Sequence, residues 1–153
     1  MKNYFFSSKI KAEYEEELKY LLYFNPQQNK VVSGIEASIE KYGIPRIIKT
    51  DIFLNIAVGN LKDVQSIFAF DTARKGLPLI GIMIYYRESE NILTLLHIAV
   101  KEEYSLNSSS CKYSLTIEMI EELKNIARKL KKINTIIIYY KKDKKGEIKI
   151  KQS

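Results

Sequence analysis

From Leu115 onward the apolar positions fall at Leu115, Met119, Ile120, Leu123, Ile126, Ala127 and Leu130, with Glu118, Glu121, Glu122, Lys124, Arg128, Lys129 and Lys131 between them. Steps of three and four residues put the apolar set on one stripe and predict an amphipathic helix. Acidic residues in its first turns and basic residues in its last suit the helix dipole, and Ser114 or Thr116 can cap its first amides. The stretches on either side have a different rhythm. Ile92 to Val100 is an almost uninterrupted Leu, Ile and Val run, as expected of a central strand covered on both faces. Ile133 to Tyr140 contains Ile136-Ile137-Ile138-Tyr139-Tyr140, a β-branched and aromatic run with strand character. The unit is therefore strand, helix, strand, with its two strands parallel.

Toward the N-terminus, Asn3 to Phe6 fits a first strand. Lys11 to Phe24 alternates Ala12, Tyr14, Leu18, Leu21 and Leu22 with Glu13, Glu15, Glu16, Glu17 and Lys19, which predicts a second amphipathic helix closed by Asn25-Pro26. Ser33-Gly34-Ile35-Glu36 has capping-box spacing, Ile35, Ile39 and Tyr42 follow at helical intervals, and Gly43 with Pro45 ends the segment. Asp51 to Gly59 fits a short buried helix or a strand, and helix is the expectation here. Val64 to Phe70, Leu79 to Tyr86 and Ile92 to Val100 then form three strands whose short connections make them antiparallel neighbours. Asp143 to Gly146 reads as a turn and Glu147 to Lys151 as a terminal strand.

Composition sets outer bounds. A chain of 153 residues, 46% hydrophobic and 28% charged, is expected to be one globular domain spanning residues 1–153. No apolar run approaches the length of a membrane span, so no membrane partner is expected. The single cysteine, Cys111, excludes an internal disulfide and points to a reducing cytoplasm. One His and one Cys leave no basis for a dedicated zinc site. The formal charge is +7, and residues 101–153 hold 13 Lys and Arg against 7 Asp and Glu, so +6 of it lies in the last third. Such an end can meet phosphates, or can serve simply as a solvated, Lys-rich tail that keeps an edge strand soluble.

In this order of elements the chain resembles the GNAT superfamily of acyl-CoA N-acyltransferases. Leu79-Ile80-Gly81-Ile82-Met83-Ile84 is similar to the family's third strand, and Leu96-His97-Ile98-Ala99-Val100 to its fourth. Glu102-Glu103-Tyr104 stands where members carry an acidic residue and a Tyr before the cofactor loop. The resemblance implies an α/β fold with two N-terminal helices, an antiparallel three-strand meander and a parallel pair that splays apart. It also implies acetyl-CoA as cosubstrate, held by the main chain of Ile98, Ala99 and Val100. The pyrophosphate would meet the loop before the following helix, where amides and the helix dipole favour negative charge. The family's Q/R-x-x-G-x-G/A loop falls on Cys111, Lys112, Tyr113, Ser114, Leu115 and Thr116. Cys111 replaces the Arg or Gln, Ser114 the first Gly and Thr116 the last Gly or Ala; the hydroxyls can still donate hydrogen bonds.

Acyl transfer to an amine needs a base, a dipole for the thioester carbonyl and an acid for the thiolate. The resemblance implies an amide near Ile98 for the carbonyl and a Tyr beyond the fifth strand as acid, Tyr139 or Tyr140. Alternation sends these two to opposite faces, so at most one meets the cleft. His97, the single histidine, alternates away from Leu96 and Ile98, which are expected to share the substrate side. It therefore reads as a satisfied structural histidine, and Glu102 and Glu103 read as solvated carboxylates. Family members add further elements after the fifth strand where this sequence has only Lys141 to Ser153. The acceptor side is accordingly expected to be open to a macromolecular substrate or completed by a second subunit. The alternative is a GNAT-like module without catalysis that binds a protein or nucleic acid through its basic C-terminal part.

Overall fold

The computed structural model describes residues 3–24, 39, 41–104, 115–141 and 144–151, with Phe24, Tyr139 to Lys141, Lys144 and Lys145 described by their backbone alone. Its strands are β1 (Tyr4–Ser7), β2 (Ile10–Lys11), β3 (Pro45–Thr50), β4 (Phe53–Val58), β5 (Gln65–Asp71), β6 (Leu79–Arg87), β7 (Ile92–Val100), β8 (Thr135–Lys141) and β9 (Lys144–Lys149). The helices are α1 (Glu15–Lys19), flanked by a 3₁₀ turn at Ala12–Tyr14 and a π turn at Tyr20–Phe24, and α2 (Leu115–Lys129). The protein is mixed α/β. A six-stranded mixed sheet runs β1-β5-β6-β7-β8-β9, and a smaller antiparallel sheet runs β2-β4-β3.

The large sheet separates two cores. On one face α2 presents Leu115, Met119, Leu123 and Ala127 to Ile80, Met83, Leu93, Leu95, Val100 and Ile136. On the other face Leu18, Leu21 and Leu22 join Leu54, Ile56 and Val58 of β4 against Phe68, Phe70, Ile82, Ile84, Leu96 and Ala99. Burial on both faces explains why β6 and β7 are continuous apolar runs. α1 is anchored to the β5–β6 turn by polar groups: the Leu79 amide donates to Glu17 Oε2 at 3.1 Å, and the Tyr14 hydroxyl to the Leu77 carbonyl at 2.8 Å.

Gly81 on β6 sets how closely α2 approaches. A Cβ there would lie 3.1 Å from Leu115 Cδ2, 3.1 Å from Met119 Sδ and 3.3 Å from Val100 Cγ1. A glycine is needed at a second point, where Gly43 and Gly59 meet. Gly59 has φ of +51°, and a Cβ on it would fall 2.1 Å from the Tyr42 carbonyl oxygen, a contact with rigid backbone.

The meander, α2, the parallel pairing of β7 with β8 and the terminal strand follow the sequence reading. Asp51 to Gly59 does not. Phe53–Val58 is a strand, paired in antiparallel register with Pro45–Thr50 through a turn in which Asp51 has φ of +56°. Leu54, Ile56 and Val58 point inward while Phe53 and Asn55 point out, the two-residue period of a strand. β9 also begins earlier than expected, so Lys144 to Gly146 belong to a strand rather than a turn. The helix expected from Ser33 lies largely outside the described residues; Ile39, Lys41 and Tyr42 are helical and lead into Gly43, whose amide bonds the Ile39 carbonyl at 2.8 Å.

Candidate functional site

The parallel ladder between β7 and β8 runs from Ile92↔Thr135 to Leu95↔Ile138 and stops there, although β7 continues to Val100 and β8 to Lys141. On its other side β7 stays paired with β6 along its whole length, with Gly81↔Val100 as the last register pair and the Lys101 amide bonded to the Ile80 carbonyl at 2.8 Å. Backbone groups alternate sides along a strand. With Lys101 turned toward β6, Ala99 and His97 turn the same way, and the amide and carbonyl of Ile98 point to the side where pairing with β8 has stopped.

A β-bulge sits at the same level. Ile84 pairs with His97 and Tyr85 with Leu95, so Leu96 is an extra residue on β7. A bulge breaks the two-residue alternation. Leu96 belongs to the α1-side core, and His97, opposite Ile84 of that core, lies on the same face. Ile98 packs on the α2 side. The expectation that Leu96 and Ile98 share one face while His97 takes the other is thereby overturned, and the bulge is the reason. Nor is His97 satisfied: it is 4% exposed, and its buried Nε2 has no hydrogen-bond partner among the described residues. Burial pushes its pKa down to about 4, so the ring is neutral at physiological pH.

Beyond β7 the chain makes a 3₁₀ turn at Glu102–Tyr104, held from below by β5. The Tyr104 hydroxyl donates to Asp71 Oδ2, and Asp71 Oδ1 accepts the Ala73 amide at 2.8 Å. Arg74 reaches Asp71 at 3.6 Å and Glu103 at 2.9 Å, with its guanidinium 5.4 Å from the Tyr104 ring centre. Tyr4 closes the group edge-on to Tyr104, with ring centres 6.0 Å apart. Burial first, and then the Asp71 carboxylate, push the Tyr104 phenol pKa upward, so it remains a donor. Glu103, read as a solvated carboxylate, is exposed but ion-paired. The group fixes the exit of β7, the point from which the expected pyrophosphate loop departs.

A third group lies at the opposite end of β7. Glu88 Oε1 accepts from the hydroxyls of Tyr42 at 2.7 Å, Thr94 at 3.2 Å and Tyr86 at 3.3 Å. Burial alone would raise the Glu88 pKa, but these hydroxyls and nearby Lys41 outweigh it and hold the carboxyl below its ordinary range. The arrangement ties Tyr42 to the β6–β7 hairpin, and the T-shaped Tyr42–Tyr86 pair, 5.5 Å between centres, adds to the tie.

Of the residues expected to hold cofactor, Ile98, Ala99 and Val100 form the β7 segment beyond the end of the β8 ladder. The Leu115 side chain is wholly buried under α2, and Thr116 is half-buried in the first turn. Cys111, Lys112, Tyr113 and Ser114 lie outside the described residues, as do the side chains of Tyr139 and Tyr140. Sequence reasoning missed Asp71, Arg74 and Glu88. A lone Asp ending an apolar strand was the available signal for Asp71, while Glu88 looks like any turn carboxylate until its partners converge. Among the described residues no three His, Cys, Asp or Glu side chains gather to hold a metal ion, and no helix is long and apolar enough to cross a membrane. The chain matches no model of a known family, no curated protein and no solved structure.

Proposed function

We propose that the chain is an acyl-CoA-dependent N-acyltransferase of GNAT type, with acetyl-CoA as cosubstrate and an amine as acceptor. The observation that carries this reading is the ladder between β7 and β8 ending at Leu95↔Ile138 while both strands continue. An extended substrate arm bearing amides can take the place of β8 there and bond the main chain of Ile98, as a peptide adds to a sheet edge. The residues fit that group in chemistry: apolar side chains on both faces, and a main-chain amide aimed at the gap. The Ile98 N–H is then available to a thioester carbonyl, where a fixed dipole stabilises developing negative charge. The Tyr104–Asp71–Arg74 group would hold the loop exit steady, so that amides at the start of α2 meet the pyrophosphate. Tyr139 or Tyr140 would supply the proton for the thiolate.

The test is thermal melting of the purified chain with and without excess acetyl-CoA, with adenosine 3′,5′-diphosphate as control. A ligand bound only to the native state at one hundred times its Kd adds about 2.7 kcal/mol. For a chain of this size that is a rise of about 5–10 °C. Such a rise with acetyl-CoA, well beyond the control, is expected. No rise would discard the acyltransferase reading in favour of a binding module, whose nucleic-acid affinity should then fall steeply with salt.

A further inference from the structure

We propose that Tyr42, Tyr86 and Glu88 form a surface site for a small alkylammonium ion bearing at least one N–H, and that the Lys41 side chain fills it as an internal stand-in. The site does not depend on the acyltransferase reading. It is built around Thr94, four residues along β7 from Ile98, or about 13 Å at the rise of a strand.

Three observations converge on a cation. The first is the carboxylate. The hydroxyls of Tyr42, Thr94 and Tyr86 all donate to Glu88 Oε1, and no described residue bonds Oε2. Three donors fix the carboxylate in place without cancelling its charge, and Glu88 is exposed, so a ligand can reach Oε2 from solvent. The second is the pair of rings. Tyr42 and Tyr86 stand at 69° to one another, 5.5 Å between centres, and their hydroxyls share the same oxygen. Aromatic faces attract cations, and here two of them border one anion. The third is the cation already present. Lys41 Nζ lies 5.2 Å from the Tyr42 ring centre, and its charge helps to hold the Glu88 carboxyl ionised.

The frame around these groups is rigid. Thr94 is wholly buried, and the Tyr42 backbone is trapped against Gly59, where a Cβ would fall 2.1 Å from its carbonyl oxygen. The donor pattern selects the ligand. A metal ion of the calcium or magnesium kind needs several oxygen ligands, whereas the hydroxyls here point their protons at Oε1. A guanidinium binds both oxygens of a carboxylate as a fork, and Oε1 is already taken. An ammonium with one N–H can place it on Oε2 as a charge-assisted bond while its alkyl groups lie against the rings.

The test uses the full chain with its 11 tyrosines labelled with ¹³C, the ring signals of Tyr42 and Tyr86 being assigned through Tyr42→Phe and Tyr86→Phe. Trimethylammonium chloride is titrated in at constant ionic strength, with sodium chloride and tetramethylammonium chloride as comparisons. Trimethylammonium should move the Tyr42 and Tyr86 signals saturably, sodium should not, and tetramethylammonium, which has no N–H, should bind more weakly. Lys41→Ala should tighten trimethylammonium binding about threefold or more, because a site occupied by its own cation loses affinity in proportion to its free fraction. Glu88→Gln should abolish binding. Lys41 is exposed, so its variant keeps the test valid even if Glu88→Gln fails to fold. Absence of a saturable shift, or a Lys41→Ala affinity that is unchanged or weaker, would overturn the site. Equal binding of tetramethylammonium would overturn the assignment to an N–H-bearing cation. None of these outcomes bears on acetyl-CoA, whose melting test stands apart.

Discussion

At the scale of single residues, His97 links burial to stability. Its folded pKa is depressed from 6.5 to about 4, so the native state binds a proton less readily than the unfolded chain. The stability tied to its neutrality is therefore fully present above about pH 6.5 and is lost as pH falls toward 4, amounting to about 3 kcal/mol over that window. His97→Gln should flatten this part of the pH profile. Urea unfolding of both proteins at about pH 7.5 and 4.5 checks it, and equal losses in the two would refute it. The state of this residue was not legible beforehand. An apolar run that hides both faces of a strand also hides a bulge, and without the bulge His97 alternates to the wrong side. Tyr104 was singled out by the sequence, but its partner Asp71 was not, because the contact depends on β5 ending beside the 3₁₀ turn.

Elements were legible where periodicity was long and unambiguous. α2 has four buried positions at helical spacing and charges ordered along its dipole, so pattern and tertiary packing agree. β4 shows the opposite case. Ile52 to Val58 is too short and too apolar for its period to be read, and the decision is made by β3, which offers six residues of antiparallel register. Packing between elements turns on Gly81, where α2 rests on β6. Gly81→Ala would press on Leu115, Met119 and Val100, and the ends of Leu and Met can give by a few tenths of an ångström. The expected cost is about 1–2 kcal/mol, measured as a lower urea midpoint with an unchanged slope. Replacement by Val, which brings two more carbons to the same contact, should cost more. A neutral or stabilising Gly81→Ala would mean that α2 is not seated as described.

For the whole molecule, the sheet divides the interior into two cores that share β6 and β7. Their ladder-bonded amides should exchange with deuterium only through global unfolding, whereas β3, an edge strand with Ile48, Lys49 and Thr50 exposed, should open locally. Hydrogen exchange followed by mass spectrometry reads this directly, and equal protection of β3 and β7 would contradict it. The architecture also orders events in time. β1 finds its place only against β5, with Tyr4 opposite Asp71 and Ser7 opposite Phe68. During synthesis those partners emerge on the order of several seconds after β1 does. Until then Tyr4-Phe5-Phe6 leaves the ribosome as a bare aromatic strand, and this stretch is where a nascent-chain chaperone would have its longest hold on the protein.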